Sequence, residues 1–245
     1  MNFKLEVIAF NIESCIAASS SGANRIELCD NQNEGGTTPS YGLIKLARAK
    51  TSLDLFPIIR PRGGDFLYSA DEFEIMKTDV LTCKILGCDG VVTGILNQDG
   101  TIDKKRTALL VSLAYPMSVT FHRAFDRTNN PFIALEDLIE IGCERILTSG
   151  QKPTAMEGLK LISELITTSN NRIIIMPGSG IKSDNIIEIA NKTKATEFHS
   201  SSRTFVESEM TFHQPEMIEA LKKVTLDEKE VKLIMNKLAE IKSNS

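Results

Sequence analysis

The 245-residue sequence has no tryptophan, few other aromatic residues and no excess of basic residues. Its formal net charge of -4 argues against the basic face that nucleic-acid-binding proteins usually present. No apolar run reaches the roughly 18 residues that a membrane-spanning helix needs. The first residues lack the charged start and the long apolar stretch of a signal peptide. We therefore expect a cytoplasmic protein that binds neither nucleic acid nor membranes.

Cysteine is also sparse, and its spacing argues against a disulfide framework. The five cysteines form an odd number and no C-x-x-C pair, which suits a reducing compartment. Of the five, only Cys29 is expected at the C-terminal end of a strand, where the sites of parallel α/β proteins lie. A single thiol does not make a soft-metal site, because thiolates usually bind such metals in groups. The alternative interpretation is that Cys29 is a small buried apolar residue.

Short apolar segments alternate with longer helical patterns along the whole chain. We predict strands at 5–10, 25–28, 56–59, 90–93, 118–121, 145–147, 172–176 and 196–199, and helices at 12–21, 39–50, 70–86, 103–114, 131–141, 154–168 and 183–192. Eight strand–helix units predict a single-domain α/β fold, a (β/α)8 TIM barrel over residues 1–245. Residues 206–245 would form a C-terminal loop and an extra packing helix. The alternative is an open doubly wound sheet, but its usual glycine-rich loop is absent after the first strand.

Side chains along a strand alternate between its two faces, and this alternation turns polar residues into the barrel. The residues predicted to face the lumen are Glu6, Glu27, Arg60, Thr120, His122, Glu197 and His199. Burying ionised groups without partners is costly, so these groups must pair with one another or line a wet cavity. The pattern therefore indicates either a catalytic site or an internal salt-bridge network. Glu27, His122 and His199 are the first catalytic candidates, with Glu6, Glu197 and Asp126 beside them, because histidine and carboxylates exchange protons near neutral pH.

Arginines and glycines at the ends of several strands indicate an anion-binding site. Arg60 and Arg62 end the third strand before Gly63-Gly64, and Arg123 follows the fifth strand. The guanidinium group suits carboxylate or phosphate, although a structural clamp between an arginine and Asp65 would look the same. Backbone amides after the seventh and eighth strands hold phosphate in many barrels. The candidates there are Gly178, Ser179, Gly180, Ser201 and Arg203, and the alternative is an ordinary strand-to-helix turn.

Several stretches closely resemble the CutC family. They are residues 25–29 (RIELC), 34–40 (EGGTTPS), 60–68, 119–126 (VTFHRAFD), 146–150 (ILTSG), 176–178 and 197–199. The resemblance implies a cytoplasmic, oligomeric (β/α)8 barrel with a role in copper homeostasis. Some members are described as binding copper(I) through one cysteine on the first strand and one on the second. This sequence has Cys29 at the second position and Ile8 at the first, which weakens the prediction of a two-cysteine copper site.

Two hypotheses follow for the function. The first is a copper-binding protein that uses Cys29. The second is an enzyme, an acid/base lyase, isomerase or hydrolase, that acts on a small anionic or phosphorylated metabolite. In the second, Glu27 and a histidine move protons while the arginines and the late loops hold the anion. Because a charged lumen is hard to explain as inert, the residues favour the enzyme, and we expect a homo-oligomer with a small anionic ligand.

Overall fold

The computed structural model describes residues 3–243, which contain eight parallel strands, the first seven of which are each followed by a helix. The strands are β1 Lys4–Ala9, β2 Arg25–Leu28, β3 Asp54–Pro57, β4 Gly90–Thr93, β5 Ser118–Phe121, β6 Arg145–Thr148, β7 Ile174–Pro177 and β8 Glu197–Ser200. The helices between them are α1 Ile12–Ser21, α2 Tyr41–Lys50, α3 Ala70–Ile85, α4 Lys104–Ala114, α5 Pro131–Ile141, α6 Leu159–Ser169 and α7 Ile186–Thr193. A further two-stranded ribbon and a helix follow β8.

The eight strands close into a barrel in chain order. Four of them pair in the order β3-β2-β1-β8 and the other four in the order β4-β5-β6-β7, all in parallel. Ile58 bridges to Val92 across the first junction, where the Ile59 amide donates to the Val92 carbonyl at 2.7 Å. At the second junction β7 lies beside β8. The predicted (β/α)8 barrel is therefore confirmed, and the open doubly wound sheet is not observed.

Local sequence signals set where the helices begin and end. Ser69 accepts from the Glu72 amide and the Glu72 side chain accepts from the Ser69 amide, so both groups of a capping box are present before α3. Gly22 and Gly142 end α1 and α5 in the left-handed conformation, at φ 87° and 89°. Each of these turns leads within three residues into the next strand, so the connections from helix to strand are short.

The period-two pattern of the strands separates an apolar outer face from a polar lumen. Leu5, Val7 and Ala9 of β1 are fully buried in the main core beneath the helices. Glu6 lies between them in sequence and is also buried, at 1% exposure, but its carboxylate contacts other polar side chains inside the barrel. Alternation in the sequence therefore predicted the orientation of these side chains correctly.

The C-terminal segment contains a ribbon that the sequence pattern did not reveal. Strands β9 Arg203–Val206 and β10 Lys223–Leu226 pair antiparallel, so regular structure begins before residue 206. All of β9 is exposed, and a strand without a buried face leaves no apolar alternation to detect. The helix α8 Glu228–Ser243 packs on α1 and α7, as predicted for a packing helix, and buries Val231, Ile234 and Leu238. Within residues 3–243 no helix is long and apolar enough to cross a membrane.

Candidate functional site

A cavity of about 930 Å³ lies at the C-terminal ends of the barrel strands. Four of the predicted acid–base residues line it, namely Glu27, His122, His199 and Asp126. Six of the predicted anion-binding residues do so as well, namely Arg60, Arg123, Ser179, Gly180, Ser201 and Arg203. A parallel barrel gathers the ends of all its strands at one rim, so residues far apart in sequence meet in one volume.

The other predicted residues lie outside this cavity. Glu6 and Glu197 are buried deeper in the lumen, in contact with arginines. Arg62 donates to Asp65 at 2.9 Å, to Glu72 at 2.6 Å and to the Leu67 carbonyl at 2.9 Å. It therefore forms the structural clamp with Asp65 that was the alternative to an anion-binding role.

Two arginines and two glutamates form a closed network below the cavity. Arg25 donates to Glu6 through Nε and to Glu197 at 2.7 Å through Nη2. Arg145 donates to the same Glu197 oxygen at 2.7 Å and to the Thr120 hydroxyl at 3.1 Å. All four charged side chains are almost wholly buried. Each charge has an opposite partner, so this lower layer is the salt-bridge network that was one interpretation of the polar lumen.

Sequence reasoning missed Arg25 and Arg145, although a signal for both was available. Arg25 is two residues before Glu27 on β2, and Arg145 is two residues before Leu147 on β6. Residues two apart on a strand share a face, so extending the alternation back to the first residue of each strand places both arginines in the lumen. The Arg25 guanidinium also lies over the Phe56 ring, at 5.1 Å from its centroid.

His199 lies between two carboxylates at the floor of the cavity. Its Nδ1 is 2.8 Å from Glu6 Oε1 and its Nε2 is 3.6 Å from Glu27 Oε2. Pairing of β1 with both neighbours sets this arrangement, because Glu6 is opposite His199 on β8 and Ile8 is opposite Glu27 on β2. His199 therefore connects the salt-bridge network below the cavity with the Glu27 carboxyl, which lines the cavity.

The three groups differ in the pKa that their surroundings give them. Burial opposes ionisation of Glu6, but Arg25 and His199 outweigh it and lower the pKa of Glu6 to about 2. Burial raises the pKa of Glu27 to about 7, and the nearby Glu6 charge acts in the same direction. Burial disfavours the charged imidazole of His199, yet its bond to Glu6 and the Glu27 charge raise its pKa. The Glu27 carboxyl can therefore take up or release a proton near neutral pH.

The Glu27 carboxyl is the least constrained of these groups. It makes no hydrogen bond to any side chain or amide within residues 3–243, and His199 Nε2 is too far at 3.6 Å to make a short one. Glu6 and Glu197, by contrast, each bond to arginine or histidine. Among the buried carboxyls of the lumen, Glu27 is thus the one left to contact a ligand.

Asp126 serves a different purpose from the one its type suggested. Its two oxygens accept from the Thr148 and Ser149 hydroxyls, the Ser149 and Gln151 amides, and Arg123 Nε at 2.9 Å. These donors occupy both carboxylate oxygens and fix the position of the side chain. Asp126 therefore orients Arg123 and the loop after β6, and proton transfer is left to Glu27 and His199.

The loops after β7 and β8 supply backbone donors and charge at the rim. Gly178 has no room for a side chain, because a Cβ there would lie 2.4 Å from Leu147 Cδ1. Ser179 and Gly180 both have positive φ, at 73° and 77°, and their amides donate to no acceptor within residues 3–243. Successive free amides in such a turn form an anion-binding concavity.

Two cationic side chains at the rim have no partner in the described part of the chain. Arg203 and Arg127 are exposed, line the cavity and make no ion pair or side-chain hydrogen bond within residues 3–243. Arg127 was missed by the sequence analysis, which selected only Arg123 at the start of the same 3-10 turn, Arg123–Arg127. Unpaired guanidinium groups beside free amides suit an anionic ligand.

Comparison with known proteins identifies the family. The sequence profile described as the CutC family matches residues 3–204. The chain belongs to the CutC family. A CutC family protein from Chromobacterium violaceum is 51% identical over 210 residues, which are 86% of this chain and 85% of the relative. The copper homeostasis protein cutC homolog of Homo sapiens is 47% identical over 210 residues, which are 86% of this chain and 77% of the relative.

A solved structure supports both the family and the fold. The crystal structure described as copper homeostasis protein CutC from Streptococcus agalactiae has a TM-score of 0.78 and 33% identity, covering 81% of this chain and 98% of that chain. The family match ends at residue 204, within β9, so β10 and α8 lie beyond it. A cytoplasmic location and a homo-oligomeric state stay predictions.

The residues of this CutC chain do not fit a two-thiolate copper(I) site. Cys29 is fully buried among Phe56, Ile58 and Val92, with Ile8 packed against it. Burial and the Glu27 charge raise the pKa of its thiol well above the ordinary value, which opposes formation of the thiolate that binds metals. A soft cuprous ion prefers several sulfur ligands, and Ile8 offers none.

A harder donor set lies nearby in the CutC lumen. Glu6, Glu27 and His199 bring one ligand atom each to within 4.8 Å of one another. Both ring nitrogens of His199 are directed at these carboxylates, and Glu6 is also bonded to Arg25. A cation here would have to displace a proton from His199 and approach the Arg25 charge, so a hydrogen-bonded acid–base cluster describes these residues better than a metal site.

Proposed function

We propose that this CutC chain is an enzyme that binds a small anionic metabolite at the barrel mouth and transfers a proton through Glu27. His199 provides the positive charge that offsets the neighbouring carboxylates, because its raised pKa keeps the imidazole protonated between Glu6 and Glu27. The late loops and the rim arginines hold the anionic group of the substrate. A lyase, isomerase or hydrolase reaction would each use this arrangement of a general base and an anion site.

One observation supports this proposal more than any other. Glu27 is a buried carboxyl that lines the cavity, lacks hydrogen bonds in the described part of the chain, and has a pKa raised to about 7. A general acid or base works best with a pKa near the operating pH, whereas a structural carboxyl is normally paired and ionised. Glu6 and Glu197 are paired in this way and provide the internal comparison within one barrel.

The anion-binding half of the proposal predicts a loss of phosphate affinity in Arg203→Ala. Removing a charge-assisted hydrogen bond from an exposed site should weaken binding of inorganic phosphate roughly three- to tenfold, near the low end for such bonds. Isothermal titration calorimetry measures the affinity. Arg172→Ala is the matched control, since Arg172 is exposed but pairs with Glu136 away from the cavity. Equal phosphate affinities of the parent and Arg203→Ala would contradict this anion site.

The proton-transfer half needs a search for the substrate. Phosphorylated and carboxylated metabolites are incubated with the parent and with Glu27→Gln, and products are followed by NMR. The expected result is a compound that both proteins bind and only the parent converts, because glutamine keeps the shape of the carboxyl but cannot carry the proton. A compound converted equally by both proteins would exclude Glu27 as the catalytic base.

Copper binding is the second candidate, and the names of the relatives together with the lumenal position of Cys29 favour it. Because Cys29 is a single buried thiol beside Ile8, we expect Cys29→Ser to change the copper(I) affinity by less than about threefold, which is small beside the effect of losing a true thiolate ligand. Competition with a chromophoric copper(I) chelator measures this affinity. A loss of an order of magnitude or more would favour copper over the enzyme.

A further inference from the structure

His122 presents a hydrogen-bond donor that has no acceptor among the described residues 3–243. The Ala124 amide donates to His122 Nδ1 at 3.2 Å, which makes Nδ1 the acceptor and leaves the proton of the neutral ring on Nε2. His122 is 4% exposed, and its Nε2 has no hydrogen-bond partner within residues 3–243. Unpaired buried polar atoms are rare because each forfeits its interaction with water.

The surroundings fix both the position and the charge of this ring. Burial and the nearby Arg60 charge lower the pKa of His122 to about 3, so the imidazole is neutral at physiological pH. The Phe66 ring lies 4.9 Å from it, and Gly94 approaches so closely that a Cβ would be 2.5 Å from the His122 ring. His122 is thus a fixed neutral donor and not the titrating acid–base group that its type suggested.

Arg60 carries a second unpaired donor beside the same aromatic ring. Its guanidinium is held by the carbonyls of Glu34, Gly36 and Gly64 and lies over Phe66, at 5.2 Å from the ring centroid. These contacts use Nη1 and Nη2, and the Tyr68 hydroxyl also interacts with the guanidinium. The buried Nε makes no hydrogen bond of good geometry within residues 3–243. Both Arg60 and His122 line the cavity, and both contact the Phe66 ring.

We infer that His122 and Arg60 form a subsite for an acceptor oxygen of a carbonyl or carboxylate group in the ligand. This inference rests on the proposed function and names the substrate class: a carbonyl or carboxylate compound that also carries an anionic group for the rim. The oxygen would satisfy two donors that make no hydrogen bond in the described part of the chain. A neutral imidazole and a fixed guanidinium can stabilise negative charge on that oxygen without giving up a proton.

Three phosphate esters test this subsite. Phosphoglycolate offers a carboxylate, hydroxyacetone phosphate offers a carbonyl, and ethyl phosphate offers neither. We expect the parent to bind at least one of the first two roughly three- to tenfold more tightly than ethyl phosphate, the gain from one or two hydrogen bonds to donors that are otherwise unmet. His122→Phe should lose this preference while still binding ethyl phosphate, since it keeps an aromatic ring against Phe66.

A measurement on the parent protein avoids dependence on the folding of variants. In ¹⁵N-labelled protein the three histidines are distinguished by their imidazole signals, and the Nε2–H of His122 should shift downfield with the preferred ester but not with ethyl phosphate. Tight ester binding with an unchanged His122 signal, or an unchanged preference in His122→Phe, would overturn the subsite and leave the proposed function standing. Failure of all three esters to bind would overturn the anion site and the subsite together.

Discussion

Arg25→Met is expected to lower the free energy of unfolding by about 3–5 kcal/mol, the usual result of removing one partner from a buried ion pair. Arg25 is 2% exposed and bonds to both Glu6 and Glu197. Methionine is unbranched like the stem of arginine but is shorter and offers no positive charge, so two carboxylates in the lumen would lose a partner. Reversible unfolding in urea, followed by circular dichroism, measures the difference.

An exposed arginine provides the control for this change. Arg172→Met removes a pair with Glu136 in which both side chains are near half exposed, and it should change the free energy of unfolding by about 1 kcal/mol or less. If Arg25→Met were as mild as Arg172→Met, the lower layer would not be a tightly coupled charge network. Arg145 and His199 would then suffice to hold Glu197 and Glu6.

Glu27→Gln is expected to make the protein more stable than the parent at pH 8 and to leave the two similar at pH 5. The pKa of Glu27 is raised in the folded state from 4.5 to about 7. The native carboxyl therefore holds its proton more tightly than the unfolded one. The stability that this proton contributes is fully present below about pH 4.5 and is lost as the pH rises through about 7. A shift of this size corresponds to about 3–4 kcal/mol.

Ionisable groups next to Glu27 also affect how the stability of the protein changes with pH. The raised pKa of His199 gives a slope of the same sign, whereas Glu6 and Arg25 keep their charges between pH 5 and pH 8. Urea unfolding at several pH values measures the stability of the parent and of Glu27→Gln. Glu164→Gln, which alters an exposed carboxylate on α6, should run parallel to the parent. Parallel curves for the parent and Glu27→Gln would mean that Glu27 is an ordinary ionised carboxylate.

The two substitutions separate two layers of one lumen. The lower layer of Arg25, Arg145, Glu6 and Glu197 pairs every charge, so its removal should act on stability. The upper carboxyl, Glu27, stays incompletely paired and destabilises the fold when it ionises. A group that is retained at a cost to stability in a cavity is a stronger functional candidate than one that stabilises the fold.

Strand alternation in the sequence was sufficient to predict which side chains at the strand ends face the candidate site. Glu27 and His199 were predicted to face the lumen near the strand ends, and both line the cavity. Arg60 follows the same alternation and reaches the cavity, although its terminal nitrogens bind loop carbonyls. Alternation gives the direction of a side chain but not its partners, so it could not separate Glu27 from the paired Glu6 and Glu197.

The sequence was insufficient wherever partners come from distant segments. Asp126 and His122 lie in the same loop as Arg123, yet Asp126 is saturated with donors from the β6 loop and His122 is held neutral next to Arg60. Arg62 and Arg60 have the same chemistry two residues apart, and only Arg60 lines the cavity. These distinctions depend on which loops fold against each other, and local patterns do not contain that information.

The sequence by itself determined the repeating strand–helix order, the inward direction of the lumenal side chains and the membership of the CutC family. Those properties follow from local periodicity and from residues that are neighbours along the chain. Only the tertiary structure decided which charges neutralise each other, because Glu6, Arg25, Arg145 and Glu197 come from four strands that meet through barrel closure. It likewise decided that Glu27 has a pKa near neutrality, since burial and the like charge of Glu6 act through space.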